Sequence, residues 1–169
     1  MKLFLSVFII SILCTGGLIC QDNTSIIGDW MHHKSIDPFD TTEFAVSMEA
    51  GSSLRTTGLL LVCASSPPEI VVMYNFGKYL VGSSRLTVPI RYSIDGGAPS
   101  DYENWQLIPG HRSASPLKNS AAFVTKLYGA STIHMEVTDP HDGERLKHEF
   151  SLSGLDRVLA KLSCGQQNH

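Results

Sequence analysis

Beyond residue 42 apolar and polar residues alternate with a period of two over much of the chain, the spacing that lines one face of a strand. Phe44, Val46 and Met48 alternate with Ala45, Ser47 and Glu49, which predicts a half-buried strand. Gly51-Ser52-Ser53 turns the chain, and Gly58 to Cys63 is continuous enough in apolar residues to be a strand covered on both faces. Ser65-Ser66-Pro67-Pro68 then leads into Glu69 to Tyr74, whose β-branched residues predict a second strand and hence a hairpin. From Leu86 to Ile94 the period is again two, with Arg91, Ser93 and Asp95 on the face opposite the apolar one. Pro89 cannot donate to a ladder, which places this strand at a sheet edge or at a bulge. Asp95-Gly96-Gly97-Ala98-Pro99 stops it with a strong turn.

Asn104 to Ile108 is a short strand candidate containing Trp105, and residues 109–116 read as a loop. Ser120 is the predicted cap of a short helix that ends near Gly129. Ile133, Met135 and Val137, then Leu146, His148 and Phe150, form the apolar faces of a hairpin turning at Asp139 to Gly143. Ser153 precedes Leu155, Val158, Leu159 and Leu162, a helical stripe with Gly165 just past its end. Residues 21–42 look irregular. The fold class expected is mainly β, an antiparallel β-sandwich with a short helix near residues 120–129 and a C-terminal helix, with α+β as the alternative.

The beginning of the chain changes the compartment. Lys2 followed by Leu3 to Leu13, apolar except for Ser6 and Ser11, has the anatomy of a secretory signal peptide. The run is short of the about 20 apolar residues that span a bilayer, so cleavage is expected after Cys20, leaving residues 21–169 as one extracytoplasmic domain. An uncleaved anchor helix and a lipoprotein modified at Cys20 are the alternatives. Periplasmic or secreted localisation follows, with the membrane met only through the leader. Without Lys2 the balance is 12 Lys+Arg against 16 Asp+Glu, a net charge of −4, and nucleic acid is excluded as an expected partner.

Removal of Cys14 and Cys20 with the leader leaves Cys63 and Cys164. An even pair in an oxidising compartment is expected to bridge, and two buried free thiols are the alternative. No nucleophile elbow, phosphate loop, HExxH or CxxC occurs, so no enzyme activity, cofactor or metal is expected. His32-His33 with Asp37 and Asp40 brings imidazoles and carboxylates into one stretch, but adjacent residues of an extended chain point oppositely and share one metal poorly. Arg91, Ser93, Asp95 and Trp105 make the candidate partner-binding face. A solvated sheet face and a core tryptophan are their plainer readings.

Trp30, Ser35 with Asp40, Leu59 to Cys63, Tyr92-Ser93-Ile94-Asp95, Trp105, Phe150-Ser151-Leu152-Ser153-Gly154-Leu155 and Cys164 follow one another in an order that resembles the type VI secretion-associated VasI/TagO proteins. Ser93 stands where that family's pattern has an arginine. The resemblance implies a non-catalytic periplasmic accessory protein with a β-rich fold, whose partner is another envelope protein. An envelope-acting enzyme, or an inhibitor of a cell-wall hydrolase such as lysozyme, is the alternative.

Overall fold

The computed structural model describes residues 23–35, 42–50, 57–65, 68–81, 86–117 and 119–164. The expected leader, the turn at residues 51–53, Asp37, Asp40 and Gly165 lie outside them. Among the described residues are strands β1 (Asn23–Ile27), β2 (Trp30–Lys34), β3 (Glu43–Met48), β4 (Gly58–Ser65) and β5 (Pro68–Asn75). There follow β6 (Thr87–Ile94), β7 (Glu103–Leu107), β8 (Ser113–Pro116), helix α1 (Ser120–Leu127), β9 (Thr132–Thr138), β10 (Arg145–Ser151) and helix α2 (Leu155–Lys161). The strands form one antiparallel sheet in the order β1-β2-β3-β4-β5-β8-β7-β6-β9-β10. β5 and β8 share only two pairs, Tyr74 with Ala114 and Asn75 with Ser113. This short seam lets the two halves of the sheet face each other across one core, and β10 returns to β3, where Ser47 Oγ donates to the Ser151 carbonyl at 2.7 Å. The mainly β, sandwich-like expectation holds, as do the β4–β5 and β9–β10 hairpins and both helices.

The departures have physical reasons. Residues 23–34, read as irregular, form the β1–β2 hairpin. His32, a polar residue at an inward position, interrupts the apolar alternation from which strands are recognised. It is 3% exposed and its Nε2 lies 3.1 Å from Glu43 Oε1. Within residues 109–116 the structure places β8, whose Ser-Ala-Ser-Pro sequence carries no apolar signal. β6 is interior, between β7 and β9. The Tyr92 N–H and carbonyl both engage Ser100 on the β7 side, so by alternation the nitrogen of Pro89 faces β9, whose ladder begins only at Ile90. The missing donor therefore breaks no bond.

Helix α1 is capped by Asn119, whose side chain accepts from Ala122 N at 3.0 Å. Ser120 serves β5 instead, its Oγ accepting from Val72 N at 3.2 Å where the β8 seam has ended. The α2 N-cap is Gly154, with φ +90°. Gly28, in the β1–β2 turn, has φ +61°, and the two glycines cross at backbone contact. A Cβ on Gly154 would lie 2.5 Å from the Ile27 carbonyl oxygen, and one on Gly28 2.3 Å from that of Ser153.

Register decides which residues face in. Trp30 pairs with Ser47 and His32 with Ala45, and all four are buried. The indole fills the interior volume, so β3 turns its small residues inward and sends Phe44, Val46 and Met48 to the outer face. Two cross-strand rows result on the outside of β1 to β5. One is Ile26, Met31, Val46, Leu60 and Met73, and the next is Thr24, His33, Phe44, Val62 and Val71. Neither row contains a carboxylate, lysine or arginine.

The Cys63–Cys164 disulfide ties α2 to β4 across a sequence separation of 101. Beside it the buried Glu43 carboxylate accepts from Ser163 N at 3.2 Å and from Ser163 Oγ, with Lys34 Nζ at 3.6 Å. Replacing both cysteines by alanine is expected to destabilise the fold by about 2–5 kcal/mol, measured by urea unfolding. In the same measurement Gly154→Ala should lose about 2–3 kcal/mol, because strain at positive φ adds to a backbone clash.

Candidate functional site

The outer face of β6, β9 and β10 differs in kind from that of β1 to β5. Strand register sets Arg91, Glu136 and Lys147 in one row and Ser93, His134 and Glu149 in the next. A cleft of about 390 Å³ lies over these rows, with Pro99 and Glu49 also on its lining.

Glu136 is the centre of the site. Although it points away from the core it is only 6% exposed, because the side chains around it converge on its carboxylate. Arg91 binds it through both oxygens, Nε to Oε1 at 3.0 Å and Nη2 to Oε2 at 3.1 Å. Tyr102 OH donates to Oε1 at 2.6 Å, and the Tyr102 ring lies 4.9 Å beneath the Arg91 guanidinium. Lys147 Nζ stands 3.5 Å from Oε2 and Arg145 Nε 4.0 Å from Oε1. Burial acts to raise the Glu136 pKa, but the Tyr102 and Arg91 hydrogen bonds and the neighbouring cations outweigh it and hold the carboxyl below its ordinary range. In the second row His134 Nε2 is 3.1 Å from Glu149 Oε2, a half-exposed pair of little energetic weight.

Of the residues expected to form a partner face, the structure brings together Arg91 and Ser93 only. Asp95 has left the strand at φ +49°, and its Oδ1 accepts from Ser131 N at 2.8 Å and Thr132 N at 2.9 Å. Those two backbone donors lower its pKa and make it a brace between the β6 turn and β9. Trp105 is 1% exposed and meets Phe123 edge to face at 5.2 Å, so its place on a binding surface is corrected to the core. Cys63 and Cys164 are joined. Glu136, Tyr102 and Lys147 were missed by sequence reading. The only trace of Glu136 was its alternation with Met135 and Val137, which marks an outward position without naming its neighbours.

The polar groups of the site are engaged with one another. The Glu136 carboxylate is saturated by donors and is a poor base. Ser93 Oγ donates to the Gly97 carbonyl at 2.6 Å, which commits its proton to a backbone acceptor. His148 faces inward, where its Nδ1 is 2.5 Å from Tyr74 OH. Burial raises the Tyr74 phenol and lowers the His148 imidazole, with the charge of Glu49 opposing the latter, so both rest neutral in the hydrogen bond. Among the described residues no group of three or more His, Cys, Asp or Glu is placed to hold a metal ion.

No family model matches this sequence, and no curated protein matches it. In three dimensions the chain is similar to the crystal structure of invasion associated protein B from Bartonella henselae, with a TM-score of 0.58. The match is 16% identical and covers 86% of this chain and 99% of that one. At that identity it shows a shared fold.

Acid should unfold the domain through its held carboxylates. Burial opposes ionisation of Glu43 as well, yet hydrogen bonds from Ser163 and His32 keep its pKa below the ordinary 4.5. Groups whose folded pKa is depressed contribute stability that is present above their unfolded value and is lost as the pH falls through the folded one. The urea midpoint of the protein is therefore expected to drop as the pH falls below about 4.5. Glu136→Gln should lower the midpoint at pH 7 by the equivalent of about 1–2 kcal/mol and flatten the acid limb.

Proposed function

We propose that the chain is an exported, non-enzymatic accessory or binding protein of the cell envelope, which recognises another envelope protein through the outer face of β6, β9 and β10. The observation that carries this reading is the Arg91–Glu136 pair. A bidentate ion pair whose carboxylate is buried on an outward strand face, clamped by Tyr102, fixes the donors around it and lowers the entropy lost when a partner binds. The leader-like pattern at residues 2–13 and the disulfide support a periplasmic or secreted location, since such bonds persist in oxidising compartments. The ordered resemblance to VasI/TagO proteins supports an accessory role, for which type VI secretion is the context it implies.

The reading is tested in cells by a photo-crosslinking residue at Ser93, followed by identification of the adduct. One envelope protein should be captured from the periplasmic or secreted fraction. Arg91→Glu combined with Lys147→Glu should reduce that adduct by about tenfold or more through charge reversal at the rim. Purified protein that released fragments from cell-wall sacculi, or that suppressed lysozyme, would replace this reading with the enzyme or the inhibitor.

A further inference from the structure

β4 reads in sequence as a strand covered on both faces, yet the structure covers one. Leu59 and Leu61 belong to the core, whereas Leu60 and Val62 point outward with only part of their surface shielded. The same is true of Met31, Phe44, Val71 and Met73, and Ile26 is 71% exposed. None of these side chains joins the interior cluster, and the buried residues of both helices belong to that cluster. Val46, in the same row as Met31 and Leu60, is 2% exposed although it lies outside the interior cluster. Neither helix buries its apolar residues against the outer face of β1 to β5, which is an apolar sheet surface among the described residues.

We infer that this face is the interface of a twofold dimer, in which the β1 to β5 sheets of two copies of this chain pack against each other. Three features select a second copy. The first is charge. The two central rows carry no carboxylate, lysine or arginine, and their one titratable ring, His33, stacks at 5.1 Å on Phe44 and is 3.2 Å from Thr24 Oγ1. A surface facing its own image meets like charges, and this one has none in the centre to repel. The second is extent. Five strands about 4.8 Å apart and about 20 Å long project to about 480 Å². Two facing copies reach about 960 Å² before side-chain relief is counted, close to the ~1,000 Å² at which specific association begins. The third is closure. Among the described residues β6, β9 and β10 present ion pairs outward, so the apolar face is that of β1 to β5, and an isologous contact through it ends at two.

A lipid surface fits less well. Membrane-lying elements ring their apolar residues with lysine and arginine, and this chain is acidic, with a net charge of −3. The proposed pairing uses a face that adjoins the Arg91–Glu136 site, Ile26, Met31 and Met48 sharing a cleft with Glu149 and Ser151 of β10, and it does not rest on the function proposed for that site.

Sedimentation velocity on the full chain, expressed with its leader and purified as the cell processes it, tests the pairing. From about 1 to 100 μM, the range in which an interface of this size associates, the expected mass is that of two chains. Leu60→Glu should raise the dissociation constant at least about 100-fold by placing an unpaired charge in the contact. Met31→Lys, nearer the rim, supplies a second variant should the first fail to fold, and intact disulfide and thermal unfolding certify either. Peroxide footprinting reads the wild type directly, with Met31 and Met73 protected at high concentration and oxidised on dilution while buried Met135 stays unmodified throughout. The inference is overturned by a monomer at 100 μM, by a dimer indifferent to every folded variant of the face, or by Met31 and Met73 oxidation that does not change with concentration. Protection of both methionines in a monomer would assign the face to a segment of the same chain, and recovery of a monomer on phosphatidylglycerol vesicles would assign it to lipid.

Discussion

The C-terminal segment is what closes this sandwich, and its attachment beside β4 is the constraint on which the remaining geometry depends. The Cys63–Cys164 bond and the Glu43 contacts to Ser163 act within two residues of each other and come from opposite kinds of chemistry. The covalent bond restricts the unfolded chain across a separation of 101 residues. The carboxylate stabilises only the folded one, because nothing but the folded arrangement gathers His32, Lys34 and Ser163 around it. With that end fixed, Leu155, Val158, Leu159 and Leu162 are pressed into the core, and Gly154 reaches the β1–β2 turn at the contact distance only a glycine permits.

Much of the architecture was legible in the sequence because period-two alternation is dictated by the pleat itself. β9 and β10 are visible in this way, whereas β4 and β5 show as apolar and β-branched runs and α2 as a helical stripe. What escaped are places where interior chemistry departs from the apolar rule. His32 occupies an inward position only because Glu43 stands beside it in space, and the four residues of β8 are strand by virtue of their neighbours. Pro89 misled for a related reason. A proline excludes one hydrogen bond, and in an antiparallel ladder each residue directs its groups to one side alone.

The candidate site was half legible. Arg91 and Ser93 lie on one face by simple parity, and parity was then extended two residues too far, to Asp95, beyond the point where the chain turns at positive φ. Glu136 could not be placed beside Arg91 from the sequence, since 45 residues separate them and their pairing is a matter of strand order. Trp105 shows the converse error, in which sequence proximity to a charged strand face was taken for spatial proximity. It lies opposite Val88 in β6 with its ring on the inner side, so nearness along the chain and a shared sheet say nothing about a shared face.

β3 carries the most instructive reversal. Its larger apolar residues are Phe44, Val46 and Met48, and the ordinary inference from amphipathic alternation sends them inward. The core instead receives Ala45, Ser47 and Glu43, because Trp30 already fills the space opposite them and because Glu43 is needed at the C-terminal attachment. A one-residue slip of register would restore the usual polarity of β3, but it would turn Glu43 and its contacts outward and bring Phe44 toward the indole. The register is thus set by a volume and an ion pair, and the apolar outer surface of β1 to β5 is its direct consequence. Two halves of one sheet have in this way acquired outer faces of opposite chemistry, one holding its charges in fixed pairs and the other with none in its two central rows.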